Sequence, residues 1–80
     1  MPAKEFVEYI AQHLVNDPHA VAVREIAGNN ATILELSVAA DDVGRVIGKQ
    51  GRSATAMRTL LNVVAHKEGK RITLEISSER

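Results

Sequence analysis

Cysteine and tryptophan are absent from the 80-residue chain, phenylalanine and tyrosine occur once each, and no apolar run is long enough to span a bilayer. Without thiols there can be no disulfide framework, no thiol nucleophile and no cysteine-bearing zinc or iron–sulfur site. A reducing, cytoplasmic setting is therefore expected. With two aromatic rings in all, the core must be aliphatic, drawn from the 45% of residues that are hydrophobic, and a chain this short leaves it modest in net stability. One domain covering residues 1–80 is expected, with oligomerisation as the natural supplement. The opening MPAKEFVEYIAQHL mixes acidic with apolar residues, which fits neither a signal peptide nor a membrane anchor.

A surplus of charge is lacking as well, since the formal net charge is +0. The signs are nevertheless segregated. Residues 1–42 carry Lys4 and Arg24 against seven carboxylates, whereas residues 43–74 carry seven cations (Arg45, Lys49, Arg52, Arg58, Lys67, Lys70 and Arg71) against Glu68 alone. A basic surface for an anionic partner is the expected result.

Phe6, Tyr9, Ile10 and Leu14, with Val7 beside them, recur at helical spacing and predict an amphipathic helix over residues 3–15, ended by Asn16-Asp17-Pro18. Val21, Val23 and Ile26 predict a strand over 20–27, with a bulge where the step from 23 to 26 breaks alternation. Gly28-Asn29-Asn30 offers residues tolerant of positive φ, and Leu34, Leu36 and Val38 alternate over 31–38, so the two strands read as a hairpin. Asp41 or Asp42 is placed to cap a short helix running through Ile47. After Gly51 a longer helix is expected to near His66, with Ala54, Met57, Leu60, Leu61, Val64 and Ala65 as its buried stripe and Gly69 as its terminator. Ile72, Leu74 and Ile76 then define a final strand over 71–76. The order helix-strand-strand-helix-helix-strand implies an α+β fold, a sheet with helices packed on one face.

The segment with chemical character is Val43-Gly44-Arg45-Val46-Ile47-Gly48-Lys49-Gln50-Gly51-Arg52. Its glycines allow close backbone approach, the helix after it offers N–H groups to an anion, and Arg45, Lys49 and Arg52 supply mobile charge. Val46 and Ile47 offer an aliphatic floor. A nucleotide-hydrolysing P-loop does not fit: three residues lie between Gly44 and Gly48 where that motif needs four, and Gln50 follows Lys49 where it needs Ser or Thr. A dinucleotide fingerprint lacks its third glycine and its βαβ unit. His13, His19 and His66 are scattered without metal-site spacing, and no Ser or Thr has a base and orienting acid at motif spacing. No enzyme, metal or cofactor is expected.

Val46-Ile47-Gly48-Lys49-Gln50-Gly51 resembles the G-x-x-G loop of KH domains, which clamps the backbone of about four nucleotides. The element order is similar to the type II arrangement of that fold, with its three-stranded sheet, and over nearly the whole chain the likeness is to the KhpA family of small bacterial single-KH-domain proteins. The resemblance implies a protein that binds single-stranded RNA, with an RNA-chaperone or post-transcriptional role touching cell shape and cell-wall biogenesis. It further implies a homodimer, or a heterodimer with a Jag-type (KhpB-like) RNA-binding protein. Carried over by position, Gly48, Lys49, Gln50 and Gly51 hold the RNA backbone, Arg45, Val46, Ile47 and Arg52 line the groove, and Lys67, Lys70 and Arg71 belong to the variable loop on its opposite rim. Ala54 departs from the broader pattern, which has a larger aliphatic residue there.

Overall fold

The computed structural model describes residues 2–79. Helix α1 (Ala3–Leu14) presents Val7 and Ala11, one turn apart, as the buried centre of its apolar face, with Ala3, Phe6 and Ile10 packed at the margins. Tyr9 falls outside that stripe and is 56% exposed. Its ring lies 4.4 Å from that of His13, whose Nδ1–H donates to the Tyr9 carbonyl at 2.8 Å. The helix stops one residue earlier than the periodicity implies, because Val15 is already extended and Pro18–Ala20 forms a single 3-10 turn.

That turn also delays the first strand. The sheet consists of β1 (Ala22–Ala27), β2 (Ala31–Val38) and β3 (Arg71–Ser78) in the order β1-β2-β3, with β1 antiparallel and β3 parallel to the central β2. Pairing of β1 with β2 is unbroken from Ala22–Ser37 to Ala27–Thr32, so the expected bulge is not formed. Val23 instead enters the core opposite Leu36, while Ile26 lies on the other face opposite Ile33, as a two-residue period requires for positions three apart. The hairpin closes with the Gly28 N–H donating to the Ala31 carbonyl at 2.7 Å. None of residues 28–30 uses positive φ, so the conformational tolerance of that segment is not drawn upon.

On β2 every second residue from Thr32 to Val38 is buried, and Ile72 and Leu74 of β3 continue the same layer, with Ile76 half-buried at its end. The helices cover this face. Helix α3 (Arg52–Glu68) buries Ala54, Met57, Leu61 and Ala65, and is capped by Gly69 at φ 70. One member of the expected stripe lies off it, Leu60, which is 51% exposed, while Val64 is half-buried and packs against the core. Both turn toward α1, where Ala3, Phe6 and Val63 complete an apolar groove. Ala54, small where the broader pattern is large, is buried. β3 forms one edge of the sheet, and Arg58 of α3 donates through Nη2 to the carbonyl of Leu74 at 3.2 Å. Among the described residues no helix is long and apolar enough to cross a membrane.

Helix α2 (Val43–Ile47) follows a 3-10 turn at Ala40–Asp42. Asp42 stands at the cap position, yet its carboxylate makes no capping bond to α2. It accepts instead from the backbone N–H groups of Asn16 and Asp17, both at 3.1 Å, and from Arg45 Nη1 at 3.3 Å. Only 2% of it is exposed. A buried carboxylate is costly unless its oxygens are satisfied, and satisfying it here ties the end of α1 to the start of α2.

Candidate nucleic-acid interface

α2 and α3 are joined by Gly48-Lys49-Gln50-Gly51, and backbone sterics decide its shape. Gly48 has φ 83 and ψ 169, a region that essentially only glycine populates. A Cβ at this position would also lie 2.5 Å from Ser53 Oγ and 2.8 Å from Ser53 N. Gly51 adopts the left-handed region at φ 76, but a Cβ there would meet nothing within 4 Å. The first glycine thus lets the loop pack against its own helix, and the second leaves open space on its outer side. Between them Gln50 is the one non-glycine residue with positive φ among the described residues, at φ 57. The turn is closed by Gly48 N–H donating to Gly44 O at 2.9 Å and Gly51 N–H donating to Gly48 O at 3.0 Å.

The cations around this loop are not equivalent. Arg45 is held by the Asp42 carboxylate at 3.3 Å and donates to the Asp41 carbonyl at 3.1 Å. Arg52 donates to Gln50 Oε1 at 3.1 Å, which fixes the amide across the turn and leaves its Nε2–H bonds directed elsewhere. Lys49 is exposed and has no salt bridge among the described residues. α3 begins directly after the loop, so the first-turn N–H groups, short of intrahelical partners, and the positive end of the helix dipole lie beside Lys49. Of the aliphatic pair before the loop only Ile47 presents side-chain surface, 38% exposed. Val46 is wholly buried in the core, so it supports the loop from beneath and cannot serve as the floor expected of it.

Lys67, Lys70 and Arg71 are exposed, but the structure does not bring them to this loop. They lie at the opposite end of α3, whose 17 residues at ~1.5 Å each span roughly 25 Å. Lys70 is paired with Glu68 at 3.3 Å, while Lys67 and Arg71 have no salt bridge among the described residues. His13, His19 and His66 are exposed, and no group of metal-binding side chains occurs among the described residues. The residue that sequence reasoning missed is Asp42 in its bridging role. Its partners, Asn16 and Asp17, are 26 and 25 positions away, so no local pattern announces the contact.

The family described as KhpA/KhpB, KH domain, matches residues 4–76, which include every element from α1 to the middle of β3. Among curated relatives, RNA-binding protein KhpA of Caldanaerobacter subterraneus subsp. tengcongensis is 54% identical over 72 residues, covering 90% of this chain and 96% of the relative. RNA-binding protein KhpA of Chlamydia trachomatis is 47% identical over 77 residues, 96% and 99% of the two chains. That of Aquifex aeolicus is 47% identical over 73 residues, 91% and 92% of the two. The names of these relatives describe binding and not a reaction. Agreement along nearly the full length of each chain, together with an α+β fold whose G-x-x-G loop joins two helices beneath a three-stranded sheet, places this chain in the KhpA/KhpB family of KH-domain proteins.

Proposed function

We propose that this chain is a non-enzymatic, single-domain RNA-binding protein that clamps single-stranded RNA at Gly48-Lys49-Gln50-Gly51. The observation that supports this reading most is the loop geometry: an open left-handed turn at Gly51, with the first turn of α3 beside it and with Lys49, which has no salt bridge among the described residues. Loop and helix N–H groups with Lys49 take the phosphates, Ile47 offers aliphatic surface to a base, and Gln50 offers its amide to a base edge or phosphate. With one Phe, one Tyr and no Trp in the chain, stacking contributes little. RNA chaperoning or post-transcriptional regulation in the cytoplasm is the role that follows for a protein of this kind.

The test is binding of labelled single-stranded RNA by the wild type and by the Lys49→Asp/Gln50→Asp variant, with duplex RNA and single-stranded DNA as competitors. Aspartate tolerates the left-handed region at position 50, so the variant keeps its fold while it repels phosphate. Binding by the wild type and its loss in the variant are expected. If about three phosphates are neutralised, log affinity falls against log salt with a slope near −2, at ~0.7 per phosphate for single strands. Equal binding by both proteins, or binding indifferent to salt, would refute the clamp.

A second reading concerns assembly, and the exposed Leu60 and Val63 favour it. With Ala3, Phe6 and Val64 they line a groove of ≈ 290 Å³ that is apolar nearly throughout. A homodimer, or a heterodimer with a KhpB-like, Jag-type protein, covers this surface and adds a second clamp, which compensates for weak binding by one domain. Sedimentation at tens of micromolar that shows monomers only, alone and with that partner, would contradict the assembly.

A further inference from the structure

We infer that Asp42 is the positioning residue of the clamp, and that Arg45 serves it as a counter-charge instead of reaching for phosphate. The inference rests on the RNA-binding reading and deepens it, since it leaves the phosphates to Lys49 and the backbone N–H groups. Three ion pairs occur among the described residues, and in two of them both side chains are more than a third exposed. The pair of Arg45 with Asp42 differs. Arg45 is half-exposed, but the carboxylate beneath it is shut away from water, and Nη1 is divided between Asp42 Oδ1 at 3.3 Å and the Asp41 carbonyl at 3.1 Å.

A phosphate that drew the guanidinium away would leave the buried carboxylate with two backbone N–H groups alone. Taking the partner from a buried charge costs far more than an exposed, salt-screened contact returns, so Arg45 stays where it is. The pair in turn holds the clamp. Helix α2 has five residues, too few to persist without tertiary support, and its anchors are Val46 in the core and the carboxylate at its start. One carboxylate oxygen accepts from the Asn16 N–H and the other from the Asp17 N–H, both at 3.1 Å. The end of α1 is therefore the fixed body against which α2 is set. From α2 the placement passes to the loop, because Gly48 N–H donates to the Gly44 carbonyl at 2.9 Å.

The experiment measures affinity for single-stranded RNA across a salt series, together with amide hydrogen exchange at Asn16 and Asp17. The proteins are the wild type, Lys49→Gln, Arg45→Gln and Asp42→Asn/Arg45→Gln. Lys49→Gln shows what loss of a phosphate contact looks like: the slope of log affinity against log salt becomes shallower by ~0.7, and exchange at the two amides is unchanged. Arg45→Gln keeps the wild-type slope and speeds exchange at both amides. Its affinity falls about tenfold, as the competent loop geometry drops to about one-tenth of the molecules. The double variant has the net charge of the wild type and no lone buried carboxylate. Its affinity returns to within about threefold of the wild type, although no cation has been restored. Should Arg45→Gln fail to fold, the double variant decides alone, by its slope and affinity. A slope shallower by ~0.7 in either Arg45 variant makes Arg45 a phosphate ligand and overturns the proposal. Unchanged affinity or unchanged exchange in Arg45→Gln, or a double variant that binds no better than the single, overturns it as well. In all these cases wild-type binding leaves the RNA-binding reading intact, whereas binding by no protein at any salt overturns that reading, and this one with it.

Discussion

Two glycines three residues apart play different parts. At Gly48 conformation and space agree, because φ 83 with ψ 169 excludes other residues and Ser53 occupies the place of a Cβ. At Gly51 only the left-handed φ of 76 asks for glycine, the surrounding space being open. Gly48→Ala is therefore expected to destabilise the protein by about 2–4 kcal/mol, from a glycine-only conformation plus overpacking. Gly51→Ala should cost about 1 kcal/mol, the left-handed penalty less what alanine recovers by restricting the unfolded chain. Urea unfolding of the two variants separates them, and equal losses would show that the clash with Ser53 relaxes freely.

Among elements, those built on a long regular period are legible in the amino-acid sequence itself. α3 and the alternation of β2 and β3 follow directly from where their apolar residues fall, and the glycine-bounded loop is legible because its glycines have few other uses between two helices. Illegible features share a physical cause, dependence on partners distant in sequence. Leu60 and Leu61 are both plausible members of one stripe until α1 takes its place, and only then does Leu60 end on the groove side. Asp42 reads as a cap because its competing partners, Asn16 and Asp17, reach it only after α1 has docked. The parallel pairing of β3 with β2, and the absence of a bulge in β1, likewise belong to tertiary register and not to local propensity. Two neighbouring leucines make the contrast measurable. Leu61, 1% exposed, should lose about 2–5 kcal/mol on replacement by alanine, whereas Leu60→Ala should cost under about 1 kcal/mol at protein concentrations too low for association. Comparable losses would place Leu60 in the core after all.

Over the whole molecule, the parallel pairing of β2 and β3 makes α2, the loop and α3 a single crossover between neighbouring strands. The loop is therefore held at both ends by helices that pack on the sheet. Its geometry does not depend on the few residues between the glycines alone. The same topology also divides the cations. Arg45, Lys49 and Arg52 gather at the start of α3, and Lys67, Lys70 and Arg71 at its end, so a chain with no net charge carries two basic regions separated by a helix. Attraction for an anionic polymer then comes from arrangement, which survives a neutral sum because screening confines each exposed charge to about 10 Å at ~0.1 M salt.

The bond from Arg58 to the Leu74 carbonyl has a consequence for how the protein behaves in a crowded solution. β3 is an outermost strand, and a strand with unsatisfied backbone groups is a template on which other chains can stack into fibrils. A guanidinium parked on one of its acceptors puts both a charge and a steric obstacle in the path of an incoming strand. Arg58→Ala should consequently leave RNA affinity of freshly prepared protein unchanged while light scattering and thioflavin fluorescence rise on prolonged warm incubation. If the variant stays as clear as the wild type, the edge is guarded by other means. On this account one arginine of the basic half is engaged at the sheet edge, and its expected value lies in guarding β3 against an incoming strand.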